Sequence, residues 1–326
     1  MLHHSLDNKG ANYFSEGILA GDRMLLSRAI TLIESALPER VKLAREIIEL
    51  ILPYTGNSFR CGITGVPGAG KSTFIEYYGQ QVVANGSKLA VLAIDPSSGK
   101  SHGSILGDKT RMEALTARSD VFIRPSPSGG ALGGVTRVTY ETMLLCEAAG
   151  FDYIMVETVG VGQSETAVRS ITDFFMLLML AGAGDELQGI KRGIMEMADA
   201  IVITKADGNN VSKARAACGD YARALHLMRN EDWTPRALMC SSLTGEGFND
   251  ITALITQFRA EEHTKQLITK RRQSQMRGLL ESAVQQELLR RYGSGEEYQQ
   301  WLSEQHLQLK VNPFAAAGKW LDKNGE

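Results

Sequence analysis

The chain has 326 residues, of which 43% are hydrophobic and 22% charged, a balance typical of a folded globular protein and not of a disordered one. Its 35 lysines and arginines nearly offset its 37 aspartates and glutamates, and the net charge is −2. This balance argues against a protein that coats nucleic acid or an anionic membrane. The length allows one large domain with appendages or two modest domains.

No apolar segment is long enough to suggest a membrane protein. The first residues, MLHHSLDNKGANYFSEG, lack the apolar core of a secretory signal. The longest apolar run, residues 174–183, is about half the length that spans a bilayer. We therefore expect a cytoplasmic protein that has neither a membrane nor a nucleic-acid partner.

The predicted elements begin with helices and continue with alternating strands and helices. Apolar positions recur at helical spacing between residues 15 and 52, and Pro38 divides this region into two predicted helices. Short apolar runs follow, separated by amphipathic stretches of helical length. These predicted strands cover residues 59–64, 88–94, 121–124, 152–157, 174–180, 200–204 and 237–240. Such alternation predicts an α/β fold with a mostly parallel central sheet flanked by helices.

The apolar runs stop beyond residue 259. Residues 261–300 are charged and helical in pattern, and the last stretch is predicted to be irregular. We therefore expect a helical N-terminal extension over residues 1–55, a nucleotide-binding core over residues 56–260 and a helical C-terminal arm over residues 261–326.

The strongest motif lies between the first predicted strand and the helix that follows it. Residues 65–73 read GVPGAGKST and match the phosphate-loop pattern G-x-x-x-x-G-K-[ST]. The glycines let backbone N–H groups point inward to bind a β-phosphate, while the lysine reaches the β- and γ-phosphates and the serine can bind magnesium. An ordinary glycine-rich turn is the alternative. The predicted phosphate-binding residues are Gly65, Val66, Pro67, Gly68, Ala69, Gly70, Lys71, Ser72 and Thr73.

Three carboxylates lie at or beyond the ends of predicted strands, on the ligand edge of an open α/β sheet. Glu157 ends one strand, and Gly160 follows three residues later, so Glu157 takes the Walker B position in which Asp is commoner. Asp95 ends the strand KLAVLAID, and Asp108 closes the glycine- and serine-rich loop that follows. A helix cap or a solvated loop acid is the alternative for each of them.

Two later segments predict recognition of guanine. Residues 204–207 read TKAD directly after a predicted strand and resemble the N/T-K-x-D element of GTPases. The Asp207 carboxylate can accept hydrogen bonds from N1–H and the 2-amino group of guanine, neither of which adenine offers, while the Lys205 stem can lie along the base. A backbone amide of a further segment can donate to guanine O6. That segment comprises Ser241, Ser242 and Leu243.

In chain order, these segments resemble those of the MeaB/ArgK family of P-loop GTPases, bacterial relatives of the methylmalonic aciduria type A protein. The resemblance is carried by GVPGAGKST, DPSSGKSHGSILGDKTRM, RPSPSGGALGGV, ETVGVGQSE, TKAD and SSLTGEG. It covers nearly the whole chain and implies a P-loop NTPase fold whose helical C-terminal arm forms a homodimer. It also implies a chaperone of an adenosylcobalamin-dependent acyl-CoA mutase, above all methylmalonyl-CoA mutase. Such proteins gate cofactor loading and protect or reactivate the mutase, coupled to hydrolysis of GTP to GDP.

The resemblance further implies roles for individual residues. It surrounds Mg²⁺ with Ser72, Asp95, Asp108 and Glu157, and it assigns catalysis to Lys71 together with these three carboxylates. Residues 185–192 match a loop that relays the nucleotide state to the mutase, although the residues alone indicate only a charged, solvated loop. The predicted relay residues are Asp185, Glu186, Gln188, Lys191 and Arg192.

Two features depart from common GTPase patterns. Thr204 stands where many relatives have Asn, and we expect this change to remove an amide that braces the phosphate loop. No Gln directly follows Gly160, where small GTPases keep the residue that orients water, and Gln163 lies further on. His102 is interpreted as a hydrogen-bonding loop residue and not as a catalytic one. Because orientation of water is a major part of this catalysis, slow intrinsic hydrolysis is expected.

The sequence leaves three other functions open. One is a nucleotide-dependent kinase of periplasmic binding proteins for basic amino acids, a label attached to the same family. Another is a metallochaperone GTPase for nickel or cobalt, although no histidine-rich or CxxC segment is present. The third is a scaffold that binds GTP without useful hydrolysis.

Overall fold

The structure, a computed structural model, confirms the predicted α/β class. It describes residues 9–95, 112–127, 132–158, 164–182, 192–226, 233–293, 295–306 and 312–324. Within these ranges seven parallel strands form one sheet, and each strand overlaps a predicted apolar run. The strands are β1 (Phe59–Gly65), β2 (Leu89–Asp95), β3 (Val121–Pro127), β4 (Tyr153–Thr158), β5 (Phe174–Leu180), β6 (Ala200–Thr204) and β7 (Arg236–Met239).

Helices precede, connect and follow the strands. Before β1 come α1 (Ala11–Leu19), α2 (Arg23–Ile33) and α3 (Pro38–Ile51). Between the strands lie α4 (Lys71–Ala84), α5 (Glu113–Thr116), α6 (Leu132–Ala148), α7 (Ser164–Arg169), α8 (Arg192–Met197) and α9 (Val211–His226). After β7 come α10 (Phe248–Lys265), α11 (Leu267–Tyr292), α12 (Glu296–His306) and α13 (Pro313–Asn324).

The strand order β3-β2-β4-β1-β5-β6-β7 places β1 at the centre of the sheet. The chain runs from β1 to β2 and β3 on one side and later to β5, β6 and β7 on the other. Ligands of open α/β sheets bind beyond the carboxyl ends of the strands, where the chain changes direction in this way. The end of β1, where residues 65–73 begin, therefore lies at the expected ligand crevice.

The N-terminal extension contains three helices, so the expectation of two is wrong. The break that the pattern did not reveal lies between α1 and α2, where Gly21 adopts a left-handed conformation with φ 81°. Asp22 then caps α2, its Oδ1 accepting from Met24 N at 2.8 Å and Leu25 N at 3.1 Å. Helices α1, α2 and α3 contact one another and α6, and they belong to the same compact unit as the sheet.

Paired buried charges hold the amino edge of the sheet, opposite the ligand crevice. Arg272 Nε and Nη2 donate to the two carboxylate oxygens of Asp173, just before β5, at 2.7 and 2.6 Å. Arg60 in β1 donates to Glu147 at 2.8 Å, and this cation helps to hold the pKa of Glu147 below its ordinary value against the effect of burial. Because the buried charges of Arg60, Glu147 and Asp173 each have a partner, these contacts fix the starts of the central strands.

Residues 273–326 form a second compact unit. The predicted irregular ending is wrong, because Pro313 opens α13 and alanines 315–317 favour its continuation. Trp301 and Trp320 pack with ring centroids 5.0 Å apart, and Trp320 Nε1 donates to Tyr292 O at 3.1 Å. The predicted boundaries at residues 55 and 260 stay predictions. Among the described helices, none has the length and apolar composition needed to cross a bilayer.

Candidate nucleotide-binding site

The turn from β1 to α4 carries the predicted phosphate-binding residues. Gly68 and Gly70 both have φ 78°, a left-handed conformation that glycine adopts without strain. A Cβ atom at Gly65 would overlap Leu178 O of β5, so the backbone approaches the neighbouring strand as only glycine allows. Val66 N donates to that same carbonyl at 3.3 Å. The turn is therefore fixed against the central strands.

Lys71 lies beneath this turn. Its Nζ donates to Gly65 O at 3.0 Å and to Val66 O at 3.5 Å. Burial lowers the pKa of Lys71 from its ordinary value, while the Glu157 and Glu165 carboxylates act in the opposite direction. The ammonium is thus held close to the loop by weak acceptors that a phosphate oxygen could replace.

Ser72 and Glu157 meet at the end of the central strands. Glu157 lies opposite Ile63 in the parallel register of β1 and β4, and Ser72 Oγ donates to its Oε1 at 3.4 Å. A hydroxyl and a carboxylate oxygen are the hard donors that Mg²⁺ prefers, so these two residues fit the ion. The part of the chain that the structure describes contains no cluster of three or more His, Cys, Asp or Glu residues able to hold a metal. The side chain of Asp95, where β2 ends, and Asp108 lie outside the described residues.

Lys205 follows β6 and lies beside the phosphate loop. Its Cε is 3.9 Å from the position that a Cβ at Gly70 would occupy. The Lys205 backbone has φ 55°, which is uncommon for a residue with a side chain. Asn210 Nδ2 donates to Lys205 O at 2.7 Å and helps to hold this conformation.

Ser241 connects the two segments that predict guanine recognition. Its Oγ donates to Asp207 Oδ2 at 2.5 Å and accepts from Leu243 N and Thr244 N, each at 3.2 Å. The Ser241 amide is engaged with Glu246 O at 3.0 Å. Among the hydrogen bonds of the described residues, none has the Ser242 amide as its donor. The structure therefore brings residues 204–207 and 241–243 together and gives Ser241 a side-chain role that the sequence pattern did not predict.

Comparison with known proteins identifies the family of this chain. Residues 26–297 match the family model described as methylmalonyl Co-A mutase-associated GTPase MeaB. The chain belongs to the MeaB family. It is a GTPase of that family, as its relatives are.

The relatives match this MeaB-family chain over most of its length. The GTPase ArgK of Escherichia coli is 45% identical over 90% of both chains. The mitochondrial methylmalonic aciduria type A homolog of Mus musculus is 43% identical and covers 85% of this chain and 69% of the mouse protein. A solved structure described as an LAO/AO transport system kinase has a TM-score of 0.78 and 34% identity, with 100% of both chains covered.

Thr204 contacts the phosphate loop of this MeaB-family GTPase, so a hydroxyl braces the loop where the amide is missing. Its Oγ1 donates to Ala69 O at 2.7 Å and lies 3.1 Å from Met179 O of β5. The short side chain of Thr204 reaches Ala69 O because the loop lies directly against the end of β6. The departure from Asn is thereby compensated within the same position.

Replacing Thr204 with Val should lower the affinity for GDP by about tenfold, because an isosteric side chain without the hydroxyl leaves Ala69 O without this donor. Titration calorimetry with GDP measures the change. Thr204→Ser, which keeps the hydroxyl, is the matched control and should bind like the wild type. Equal affinities of the Val and Ser variants would show that the hydroxyl does not support the loop.

Glu165 is a residue of this region that the sequence motifs did not reveal. It lies in the first turn of α7, is 1% exposed, and contributes to the field at Lys71. Only the burial of a carboxylate marks it, and burial is not visible in the short sequence SETAVR. Several predicted positions lie outside the described residues. These are His102, Gly160, Gln163, Asp185, Glu186, Gln188, Lys191 and the side chain of Arg192.

Proposed function

We propose that this chain binds GTP with Mg²⁺ at the site above and serves as a chaperone of an adenosylcobalamin-dependent methylmalonyl-CoA mutase. In that role it gates cofactor loading and protects or reactivates the mutase. The observation that carries the proposal is the match of residues 26–297 to the family model of a mutase-associated GTPase. The name of the mouse relative supports the same partner.

Guanine selectivity follows from the direction in which Asp207 is held. Ser241 donates its hydroxyl hydrogen to Oδ2 of Asp207, which leaves the carboxylate to accept from N1–H and the 2-amino group of guanine. The amide of Ser242 is the donor of its segment that can reach O6, since those of Ser241 and Leu243 are engaged. Adenine presents an acceptor at N1 and an amino group at position 6, so both ends of the base would be mismatched.

The phosphate end of the site is built for charge. Lys71 Nζ would exchange its loop carbonyls for β- and γ-phosphate oxygens, a charge-assisted and therefore stronger contact. Ser72 and Glu157 would hold Mg²⁺ together with Asp95 and Asp108, as the resemblance implies. The ion, when bound, supplies positive charge beside the transferred phosphoryl group. This chain contributes the orientation of the phosphates, and the hydrogen bond from Thr204 to Ala69 O braces the loop that holds them.

The mutase should raise GTP turnover by at least about tenfold, which requires about 1.4 kcal/mol of transition-state stabilisation. The reason is that slow intrinsic hydrolysis leaves room for a partner that orders the loops around the γ-phosphate. Phosphate release measured with and without adenosylcobalamin-dependent methylmalonyl-CoA mutase tests this expectation. No stimulation at saturating mutase would contradict the chaperone role and leave the GTPase assignment intact.

The loop at residues 185–192 is the proposed relay for this stimulation. Replacing Lys191 and Arg192 together by Ala should remove most of the stimulation and leave intrinsic hydrolysis and GDP affinity nearly unchanged. Replacing Lys213 and Arg215, a charged pair exposed on α9, is the matched control and should leave stimulation intact. If the double variant at 191 and 192 is stimulated like the wild type, simple solvation is the better account of this loop.

We also propose that the arm forms a homodimer in the cytoplasm. Four apolar side chains recur every four residues along α11 and are between 43% and 60% exposed. They are Met276, Leu280, Val284 and Leu288. An apolar stripe on a helix is usually covered by another helix, and a second copy of the same arm offers the complementary stripe.

A second candidate function has one observation in its favour. The solved structure with a TM-score of 0.78 is described as an LAO/AO transport system kinase. A kinase of periplasmic basic amino-acid binding proteins would transfer the labelled γ-phosphate of a nucleotide to such a protein. The arrangement of Asp207 and Ser241 favours a GTP user over an ATP user, and a transfer assay with both nucleotides separates the two functions.

A further inference from the structure

Tyr77 joins the phosphate end of the site to the base end. It lies on α4, whose first residues are Lys71 and Ser72, and its ring centroid is 4.3 Å from that of Phe248 at the start of α10. A Cβ atom at Gly245 would overlap Tyr77 Oη and lie 3.0 Å from Cζ. The phenol therefore rests directly on the backbone of the segment that follows Ser241.

That segment, residues 241–247, is closed by its own hydrogen bonds. Gly245 N donates to Ser241 O at 2.8 Å, and Ser241 N donates to Glu246 O at 3.0 Å. At its far end a Cβ at Gly247 would overlap Met239 O, so the backbone is pressed against β7. A shift at Gly245 is consequently passed to Ser241, whose hydroxyl aims the Asp207 carboxylate at 2.5 Å.

We propose that Tyr77 is a positioning residue for guanine selectivity, which it supports by holding residues 241–247 so that Ser241 orients Asp207. The inference rests on the proposed guanine site and adds a residue on the phosphate-loop helix to it. The contact that Tyr77 makes is with Gly245 of the segment, so its effect on the base passes through Ser241 and Asp207. The adjacent Tyr78 differs, because it is buried and its Oη lies 3.3 Å from Tyr153 Oη in the core.

Inosine diphosphate provides the probe, since it keeps N1–H and O6 of GDP and lacks only the 2-amino group. In the wild type, GDP should bind more tightly than IDP, because the Asp207 carboxylate reads that amino group. Tyr77→Leu removes the phenol from Gly245 and should reduce the ratio of GDP to IDP affinity by about tenfold, the value of one charged hydrogen bond. Tyr78→Phe is the matched control and should keep the wild-type ratio. Calorimetry on the full chain gives the ratio of GDP to IDP affinity. If Tyr77 had a purely structural role, Tyr77→Leu would change the stability of the protein and leave this ratio unchanged.

A second variant keeps the inference testable if Tyr77→Leu melts below the assay temperature. Gly245→Ala places a methyl group against Tyr77 Oη and should by itself lower the GDP-to-IDP ratio. Where both variants fold, the combined variant should lose less of the GDP-to-IDP preference, in free energy, than the two single variants lose together. The reason is that Leu at position 77 leaves room for the methyl group. The backbone at Gly245 is left-handed, with φ 82°, so alanine there is strained. This strain is the same in the single Gly245→Ala variant and in the combined variant, and it cancels in the comparison.

The outcomes separate the inference from the proposed function. If the wild type prefers GDP to IDP and to ADP while Tyr77→Leu, or Gly245→Ala in its place, keeps that preference, the positioning role of Tyr77 is overturned. Strictly additive effects of the two substitutions overturn it as well. If the wild type binds ADP as tightly as GDP, the guanine site itself is wrong.

Discussion

A Lys71→Ala variant should hydrolyse GTP about a thousandfold more slowly than the wild type, or more slowly still, and should keep its fold. The ammonium lies against the phosphate loop, 3.0 Å from Gly65 O, and alanine leaves the β- and γ-phosphates without it. The fold should survive because, among the described residues, Nζ donates its hydrogen bonds to loop carbonyls, and burial already lowers its pKa. Removing a charge that burial disfavours should cost little stability.

Phosphate release gives the rate of this variant, and circular dichroism with thermal melting gives its fold. Lys88→Ala is the matched control, since Lys88 is exposed at the start of β2 on the opposite edge of the sheet and should not affect turnover. A fully active, folded Lys71→Ala variant would contradict the assignment of residues 65–73 to phosphate binding. The comparison with Lys88 excludes a general effect of lost positive charge.

The sheet could be predicted because its strands are buried on both faces. Every residue of β1 and β4 is buried, so each strand appears in the sequence as a short, mainly apolar run, and longer amphipathic stretches separate these runs. The predicted strand falls furthest short at β3, where it ends at residue 124. In the structure β3 extends to Pro127, which pairs with Asp95 of β2. The letters RPSP suggest a loop, and an edge position is what allows prolines in this strand.

The site could be predicted only where a role depends on a fixed spacing. The phosphate loop and residues 204–207 are such segments, and the structure brings both to the same sheet edge. The contacts of Thr204, Glu165 and Tyr77 depend on which strand or helix lies next to them. Thr204 and Ala69, for example, are 135 residues apart in the sequence, so no local sequence pattern predicts their contact.

An Asp207→Asn variant should bind GDP a hundredfold or more weakly, about 2.7 kcal/mol, and should bind xanthosine diphosphate better than the wild type does. Ser241 decides which end of the new amide faces the base. Its Oγ already accepts from the amides of Leu243 and Thr244, so its single hydrogen points at residue 207. The amide must present its oxygen to this hydroxyl, and its NH₂ group then faces the nucleotide.

That orientation fixes the sign of both effects. Towards guanine, the NH₂ group of the substituted side chain would meet N1–H and the 2-amino group, so donor would face donor and a buried polar group would lose its partner. Towards xanthine, the same NH₂ group would meet a 2-oxo acceptor and form a hydrogen bond. Calorimetry with GDP and xanthosine diphosphate measures both, with Asp250→Asn on the exposed first turn of α10 as the matched control. Unchanged GDP affinity in Asp207→Asn would mean that another residue reads the base, because no arrangement that Ser241 permits lets an amide replace this carboxylate.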